Sequence, residues 1–469
     1  MVLAAGQRMD PVAAQAKSLY INASIQPHTM EFGKHIGKGI WGIADKSLPV
    51  IYGLAYVLLV IRVLPEEEFG NFVLVQEVFL IVSALATAFA LQPLLKYAAE
   101  EGVDLPHATG AAMLLNVGVV VLASVLIVAG REFLAAVLNS PGLGPLLLYV
   151  PGLLVASYLR NFTLILLQSR FKVREVFIVD AFHFLAAPLL IWVVSRMHRF
   201  SDAAVLLQIN LVSLFLSSLV GVALSRGMLR MTLRPKREEL ARMWHYGRYA
   251  LGGMASSTLY AKADIFLLSS FGGPVEVALY NSVKVFTRLY EMVTQVIAMF
   301  VLPGVSLFSS KGDNRSLIAL VEKSIAFLTI AMIPLFILFL LLPAPLIQTV
   351  YSGRYLDGIP LMRVFALLAF LVPIGGVATN ALMGLGEAKL GFRLSLHLLV
   401  ASLVAYLALI PLLGPMGAAI AYVLVTLYLA VLSTIYLRPF VPVTLGGLIR
   451  RKSDFWNFVL KQVERVTTP

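Results

Sequence analysis

The chain reads as an all-α integral membrane protein, with about twelve transmembrane helices in two six-helix lobes and both termini on the cytoplasmic side. Three features point there. Hydrophobic residues fill 59% of the 469 positions and charged ones only 13%, with a mean hydropathy of +0.87. Soluble domains carry about 45–50% apolar and about 25% charged residues. Apolar runs such as SLIALVEKSIAFLTIAMIPLFILFLLL (316–342) exceed the roughly 20 residues a helix needs to cross hydrocarbon. The longest internal polar segment, SRGMLRMTLRPKREELARMWHYGR (225–248), divides six expected spans from six.

The spans are expected near 38–62, 70–92, 108–129, 145–168, 175–195 and 203–224 in the first lobe. Those of the second lobe are expected near 249–270, 277–304, 317–342, 360–384, 391–412 and 415–437. Helices are the element that satisfies its own backbone at these lengths. Charge sets the orientation. Of the 37 lysines and arginines, 26 fall in segments on the side of the N-terminus or at the span ends that adjoin them, five in the opposite loops or at their span ends (Arg62, Arg131, Arg196, Arg199, Arg354), and the other six within spans. Cations gather on the cytoplasmic side, so both termini are expected there.

The resulting organisation is a cytoplasmic segment (1–35), a first lobe (36–225), an inter-lobe linker (226–248), a second lobe (249–440) and a cytoplasmic tail (441–469). Residues 1–35 lack the basic start, apolar core and cleavage site of a signal peptide, so the first span is expected to direct insertion. In the tail, LIRRKSDFWNFVLKQVERV (448–466) places Phe455, Trp456, Val459, Leu460 and Val463 near one side and cations on the other. That is the pattern of an interfacial amphipathic helix.

Several chemistries are set aside. The chain has no cysteine, and its seven histidines show no HExxH spacing, so neither disulfides nor a metal centre is expected, and no cofactor is implied. The net charge of +12 does not indicate nucleic acid, because the basic residues lie in short loops. Glu66, Glu67 and Glu68 could suggest the acidic metal site of a membrane glycosyltransferase or ligase. Such enzymes need a substantial outer domain, and this loop is a few residues long. No enzyme is expected.

The informative charges lie inside the spans: Lys46, Arg160, Lys262, Lys284, Arg288 and Arg363, with Asp45, Glu77, Asp180, Asp264 and Glu291. A cation facing lipid at a helix centre costs about 2.5–3.5 kcal/mol, so these groups should face a wet cavity or find partners. In KVFTRLYEMVTQ (284–295), helical spacing gathers Asn281, Lys284, Arg288, Glu291 and Gln295 within about 80° of arc. The result is one polar stripe about 21 Å long, with Phe286, Val293 and Phe300 off it.

Lys284, Arg288, Arg160, Lys46 and Lys262 are therefore candidates to meet an anionic ligand. Internal ion pairing is the competing account. Arg288 and Glu291 stand at i,i+3, Lys262 and Asp264 share a span, Asp45 and Lys46 are adjacent, and Arg363 near a span end can snorkel. Asp180, Glu291 and Asp45 are candidates to carry a coupling ion. Asp180 and His183, also at i,i+3, form either a proton-linked pair or, more simply, an interhelical hydrogen bond. Asn161 and Asn380 read as interhelical hydrogen bonds.

The halves look related. EFGNFVLVQ (68–76) after span 1 and EVALYNSVK (276–284) after span 7 stand 208 residues apart, each opening with Glu and placing an aromatic four residues on. Repeats of this kind mark duplicated transporter folds.

IRVLPEEEFGNFVLV (61–75) resembles the R-x-L-x-x-E-E-F-G segment after the first helix of the oligosaccharide flippases, in the multidrug/oligosaccharidyl-lipid/polysaccharide (MOP) exporter superfamily. Residues 246–286 are similar to the family's seventh helix and its G-x-x-E-V-G-x-Y turn. Asp264, Glu276 and Tyr280 match there, and Ala278 replaces a glycine. VLPGVSLFSSKGD (301–313) resembles the end of helix 8, and LIQTVYSGRYLDGIPLMRVFAL (346–367), with Gly353 to Tyr355, the helix 9–10 connection. The resemblance covers most of 36–440.

It implies two lobes in a V, a central cavity opening alternately to each side, and a polyprenyl-diphosphate-linked glycan as cargo. It further implies the bacterial cytoplasmic membrane as location, with polysaccharide-assembly membrane proteins as possible partners. Asp264 and Arg62 match the family pattern as structural residues. The alternative of the same fold is a MATE-type multidrug or cation antiporter. A major-facilitator transporter would carry a basic G-x-x-x-D-R motif between spans 2 and 3, where this chain has KYAAEEGVDLPHA.

Overall fold

The computed structural model describes residues 64–98, 104–197, 202–228 and 232–444, with 41, 44–45, 48–49, 52–53, 59–61, 446–448 and 450–451. All regular structure among them is helical. The described residues of 41–61 are helical. They are followed by α1 (Glu66–Tyr97), α2 (Leu105–Val137), α3 (Leu143–Ser169), α4 (Val173–Arg196) and α5 (Ala203–Met228). The second half holds α6 (Arg237–Gly272), α7 (Pro274–Ser310), α8 (Asn314–Leu341), α9 (Pro343–Tyr351), α10 (Leu356–Ala366), α11 (Leu368–Gly384) and α12 (Ala388–Leu437).

Eight helices among the described residues are long and apolar enough to cross a bilayer, or nine when α10 and α11, bent by 49°, count as one broken span. The difference between nine and twelve has three sources. The first expected span is only partly described, and residues of the amphipathic tail from 452 onward lie outside the described part, as do Lys46 and Arg62. The helix of span 7, α6, is not among those apolar enough to count. The two expected spans 391–412 and 415–437 both fall in α12, which is 50 residues long and breaks at Gly414 (φ 55°, ψ −133°) between Pro411 and Pro415. Glycine tolerates that positive φ without the Cβ penalty. α6 also begins at Arg237, inside the stretch read as linker, and buries Met243 and Gly247.

Small polar residues let helices in the first lobe approach closely. Ser213, Ser217, Gly221 and Ser225 recur every four residues on α5, all buried. Ser217 donates to the Val179 carbonyl of α4 at 2.6 Å, and Ser218 to the Ala156 carbonyl of α3 at 2.7 Å. Without water as competitor, such faces drive helix association in lipid through packing and hydrogen bonds.

The lobes meet at the end that carries Pro65. Gly70 of α1 lies so close to the Pro274 carbonyl of α7 that a Cβ there would overlap it. Ser269 donates to the Leu138 carbonyl at 2.6 Å. Arg354 donates to the carbonyls of Ile61 and Leu64 at 2.9 and 2.8 Å, so a cation of the second half holds the backbone just before Pro65. At the opposite end α6 packs on α1 and α2, with Gly247 against the Phe89 carbonyl in a π-turn, Thr87–Leu91.

The internal repeat has a structural counterpart. Glu68, at the start of α1, accepts the amide of Ala203, the first residue of α5, at 2.8 Å. A carboxylate suits that helix N-terminus. Glu276, its counterpart 208 residues on, sits beside Gly414, where the last helical stretch of the second half begins.

Candidate functional site

A cavity of about 520 Å³ opens among α1, α6, α7, α11 and α12. All five residues of the expected stripe line it: Asn281, Lys284, Arg288, Glu291 and Gln295. They do so although α7 tightens into a 3-10 turn at Val285–Thr287, between Lys284 and Arg288. Glu77 and Lys262 complete its charged wall, with Tyr260, Tyr406 and Tyr422 beside them.

The charges are matched differently from their sequence spacing. Asp264 is fully buried and pairs with Lys284, not with Lys262 on its own helix. The same carboxylate oxygen accepts the Tyr280 hydroxyl at 2.6 Å. The Lys284 ammonium also lies 5.1 Å from the Tyr422 ring centroid and 5.5 Å from that of Tyr280, within cation–π range. Lys262 instead reaches across to α1, with Nζ 2.7 and 3.0 Å from the two Glu77 oxygens. Both carboxylates are buried, and in low dielectric each requires a counter-charge.

Arg288 and Glu291, expected as an i,i+3 pair, form no ion pair with each other or with any other described residue. Both are exposed on the cavity wall. The Arg288 guanidinium lies over Gly53 of the first helix, where a Cβ would displace it. The cavity therefore presents one cation and one carboxylate without internal partners among the described residues.

Arg160 does not join this cavity. It pairs with Asp180 of α4, donates from Nε to Ser217 at 3.2 Å, and stacks 5.6 Å from the Phe184 ring centroid. Asp45, buried, is within its electrostatic reach. Asp180 and His183 are thus not a pair. His183 Nδ1 lies 3.1 Å from the Ser213 hydroxyl, which itself donates to the Asn210 carbonyl. Asn161 donates to Ser83 of α1 at 3.3 Å, an interhelical bond as expected. Asn380 bonds the Gly376 carbonyl of its own helix at 2.8 Å instead, because a helical carbonyl keeps a second lone pair that a side chain four residues on can reach. Arg363 is exposed near the end of α10. The sequence marked Glu77 only as one acid among five and passed over the three tyrosines. Only the third dimension assigns them to this wall.

Residues 59–360 match the family model described as polysaccharide biosynthesis protein. The chain is 22% identical over 210 residues to a probable low-salt glycan biosynthesis flippase of Haloferax volcanii, covering 45% of this chain and 44% of that one. It is 26% identical over 188 residues to an uncharacterised membrane protein of Methanocaldococcus jannaschii, covering 40% and 37%. The matched stretches thus span less than half the length of either curated relative. Among solved structures, the fold is similar to the lipid II flippase MurJ in an inward closed conformation, with a TM-score of 0.71 and 12% identity over 91% of this chain and 93% of that one. It is also similar to a MATE-family multidrug resistance transporter of the MOP superfamily in an inward-facing conformation, at 0.70 and 16% over 87% and 95%. Helices fit to cross a membrane, this fold and the match over well over half its length together place the chain in the polysaccharide biosynthesis protein family, as an integral membrane protein with the transporter fold of the MOP superfamily.

Proposed function

We propose that the chain is a flippase that carries a lipid-diphosphate-linked oligosaccharide from the cytoplasmic to the outer leaflet, by alternating access of the cavity between its lobes. The observation that carries this reading is Arg288, a cation on the cavity wall without an internal counter-charge among the described residues. A guanidinium presents a rigid fork of donors that matches phosphate oxygens. Lys262 and Lys284 stand beside it, and the tyrosine faces suit the C–H faces of sugar rings. The positive-inside distribution assigns the Lys236 end to the cytoplasm and the Pro65 end to the outside.

The membrane potential favours this direction. A charge of about −2 leaving a compartment 100 mV negative gains roughly 4–5 kcal/mol. Glu291 is the coupling-ion candidate that remains open to the cavity, whereas Asp180 is tied to Arg160. The chain performs no chemistry on its cargo, and its place is the cytoplasmic membrane of a bacterium, with assembly proteins of the polysaccharide pathway as neighbours. Glu291 also supports the second reading, a MATE-type cation antiporter, because an unpaired carboxylate attracts organic cations. Depletion of the protein separates the two. Trapping of a lipid-linked glycan on the cytoplasmic leaflet supports the flippase. Raised drug sensitivity without trapped glycan supports the antiporter.

A further inference from the structure

The pair Lys262–Glu77 differs from the cavity's other ion pair among the described residues, Lys284–Asp264. Lys284 and Asp264 both belong to the second half, whereas Glu77 belongs to α1 and Lys262 to α6, so this pair ties one lobe to the other. Glu77 accepts a hydrogen bond from the ammonium at Oε1, 3.0 Å, its buried Oε2 lies 2.7 Å from the same nitrogen without a hydrogen bond, and no other ion pair or hydrogen bond of its side chain joins it to a described residue. Its side chain is 8% exposed, while that of Lys262 is 27% exposed and faces the cavity that holds Arg288.

We propose that Glu77 is a resident anion on a cargo site: its carboxylate occupies on Lys262 the place of a cargo phosphate, and cargo binding displaces it. This deepens the flippase reading and rests on it. A phosphate that enters beside Arg288 competes with Glu77 for the same ammonium. When it wins, Lys262 and Arg288 together hold the diphosphate, and the ionic tie between α1 and α6 is lost. The free energy of cargo binding is thereby spent on freeing the lobes, which is what differential affinity for two states requires. Lys262 also becomes selective. A neutral ligand cannot displace Glu77, so the empty cavity stays tied.

The test uses the full-length protein in nanodiscs. The chain has no cysteine, so spin labels go on Phe133→Cys and Leu356→Cys, two exposed positions on different lobes near the Pro65 end. Double electron–electron resonance then reads the inter-lobe distance. Without ligand, Glu77→Gln and Lys262→Gln are each expected to populate longer distances. The exchanged pair Glu77→Lys with Lys262→Glu is expected to restore the wild-type distribution. Inorganic pyrophosphate is expected to shift the wild type in the same direction and to bind Glu77→Gln roughly tenfold more tightly, while Lys262→Gln loses the response. A ligand-free Glu77→Gln distribution that superimposes on the wild type, or unchanged pyrophosphate affinity in that variant, overturns the proposal. The ligand-free comparison does not depend on the cargo. If flipping proceeds with unchanged Glu77→Gln distances, the exchange fails and the flippase stands. If the distances shift as expected but no glycan is trapped on depletion, the Glu77–Lys262 tie between the lobes stands and the flippase reading fails, taking the cargo phosphate with it.

Discussion

Lys284 and Asp264 form an ion pair in which the carboxylate is fully buried and the ammonium faces the cavity only partly. Removing one member strands the other. Lys284→Ala is expected to lower stability by about 3–5 kcal/mol, the usual cost of an uncompensated buried charge. Adding Asp264→Asn should recover most of that loss. Thermal unfolding of the detergent-solubilised variants reads both effects. A Lys284→Ala protein as stable as the wild type would show that Asp264 needs no counter-charge.

Arg288 is expected to behave in the opposite way. Its side chain is exposed and unpaired among the described residues, so Arg288→Ala should leave folding and insertion intact. On the flippase reading, transport should fall about ten- to a hundredfold, the equivalent of charge-assisted hydrogen bonds worth about 1.5–3 kcal/mol. Leaflet-specific labelling of the lipid-linked glycan is the measurement. Arg288→Lys should retain part of the activity, because it keeps the charge and loses the fork.

The Pro65 end is held by backbone approach and by Arg354. Gly70→Val would drive a side chain into the Pro274 carbonyl and is expected to destabilise the fold by about 1–3 kcal/mol. Arg354→Gln, which releases the carbonyls of Ile61 and Leu64, should make a cysteine placed at exposed Leu356 more reactive to a water-soluble maleimide. Equal labelling rates with and without Arg354 would count against a closing role.

Outside the spans, Lys236 donates to Asp104 at 2.9 Å, and His107 lies 3.1 Å from the other oxygen. The Lys236 hydrogen bond, with that of His107 behind it, holds the Asp104 carboxyl below its usual range. Asp104 in turn holds the Lys236 amine above its own. A depressed carboxyl stabilises above its unfolded value and loses that effect as pH falls through the folded one. A raised amine stabilises below its unfolded value and loses the effect as pH rises through the folded one. The tie between linker and α2 should therefore persist across neutral pH and release only in acid below the ordinary carboxylate range or in strong alkali. A carbon-13 titration of the Asp104 carboxyl should give a higher midpoint in Lys236→Gln than in the wild type.

Periodicity and charge carried the reading of the chain a long way. The 3.6-residue period alone assigned Asn281, Lys284, Arg288, Glu291 and Gln295 to one face, and that face lines the cavity. Pairing was the part that one dimension does not encode. Arg288 and Glu291 are neighbours along α7 yet unpaired with each other, while Lys262 finds a carboxylate 185 positions away. Sequence spacing ranks local partners, whereas burial decides which charges must be neutralised, and burial depends on which helices meet. The break at Gly414 was hidden for a related reason. Pro411 and Pro415 announce a turn between two spans, but not that the helix resumes at once on either side.

The bare backbone at Gly53 has an evolutionary corollary. Arg288 rests where any other residue would place a side chain, so positions 53 and 288 share one volume across the lobe boundary. On the flippase reading, a genetic selection for transport of bulkier or smaller glycans should return changes at these two sites together. A single substitution at 53 should behave as a partial suppressor or enhancer of changes at 288, making the glycine a dial on cargo size rather than a passive gap.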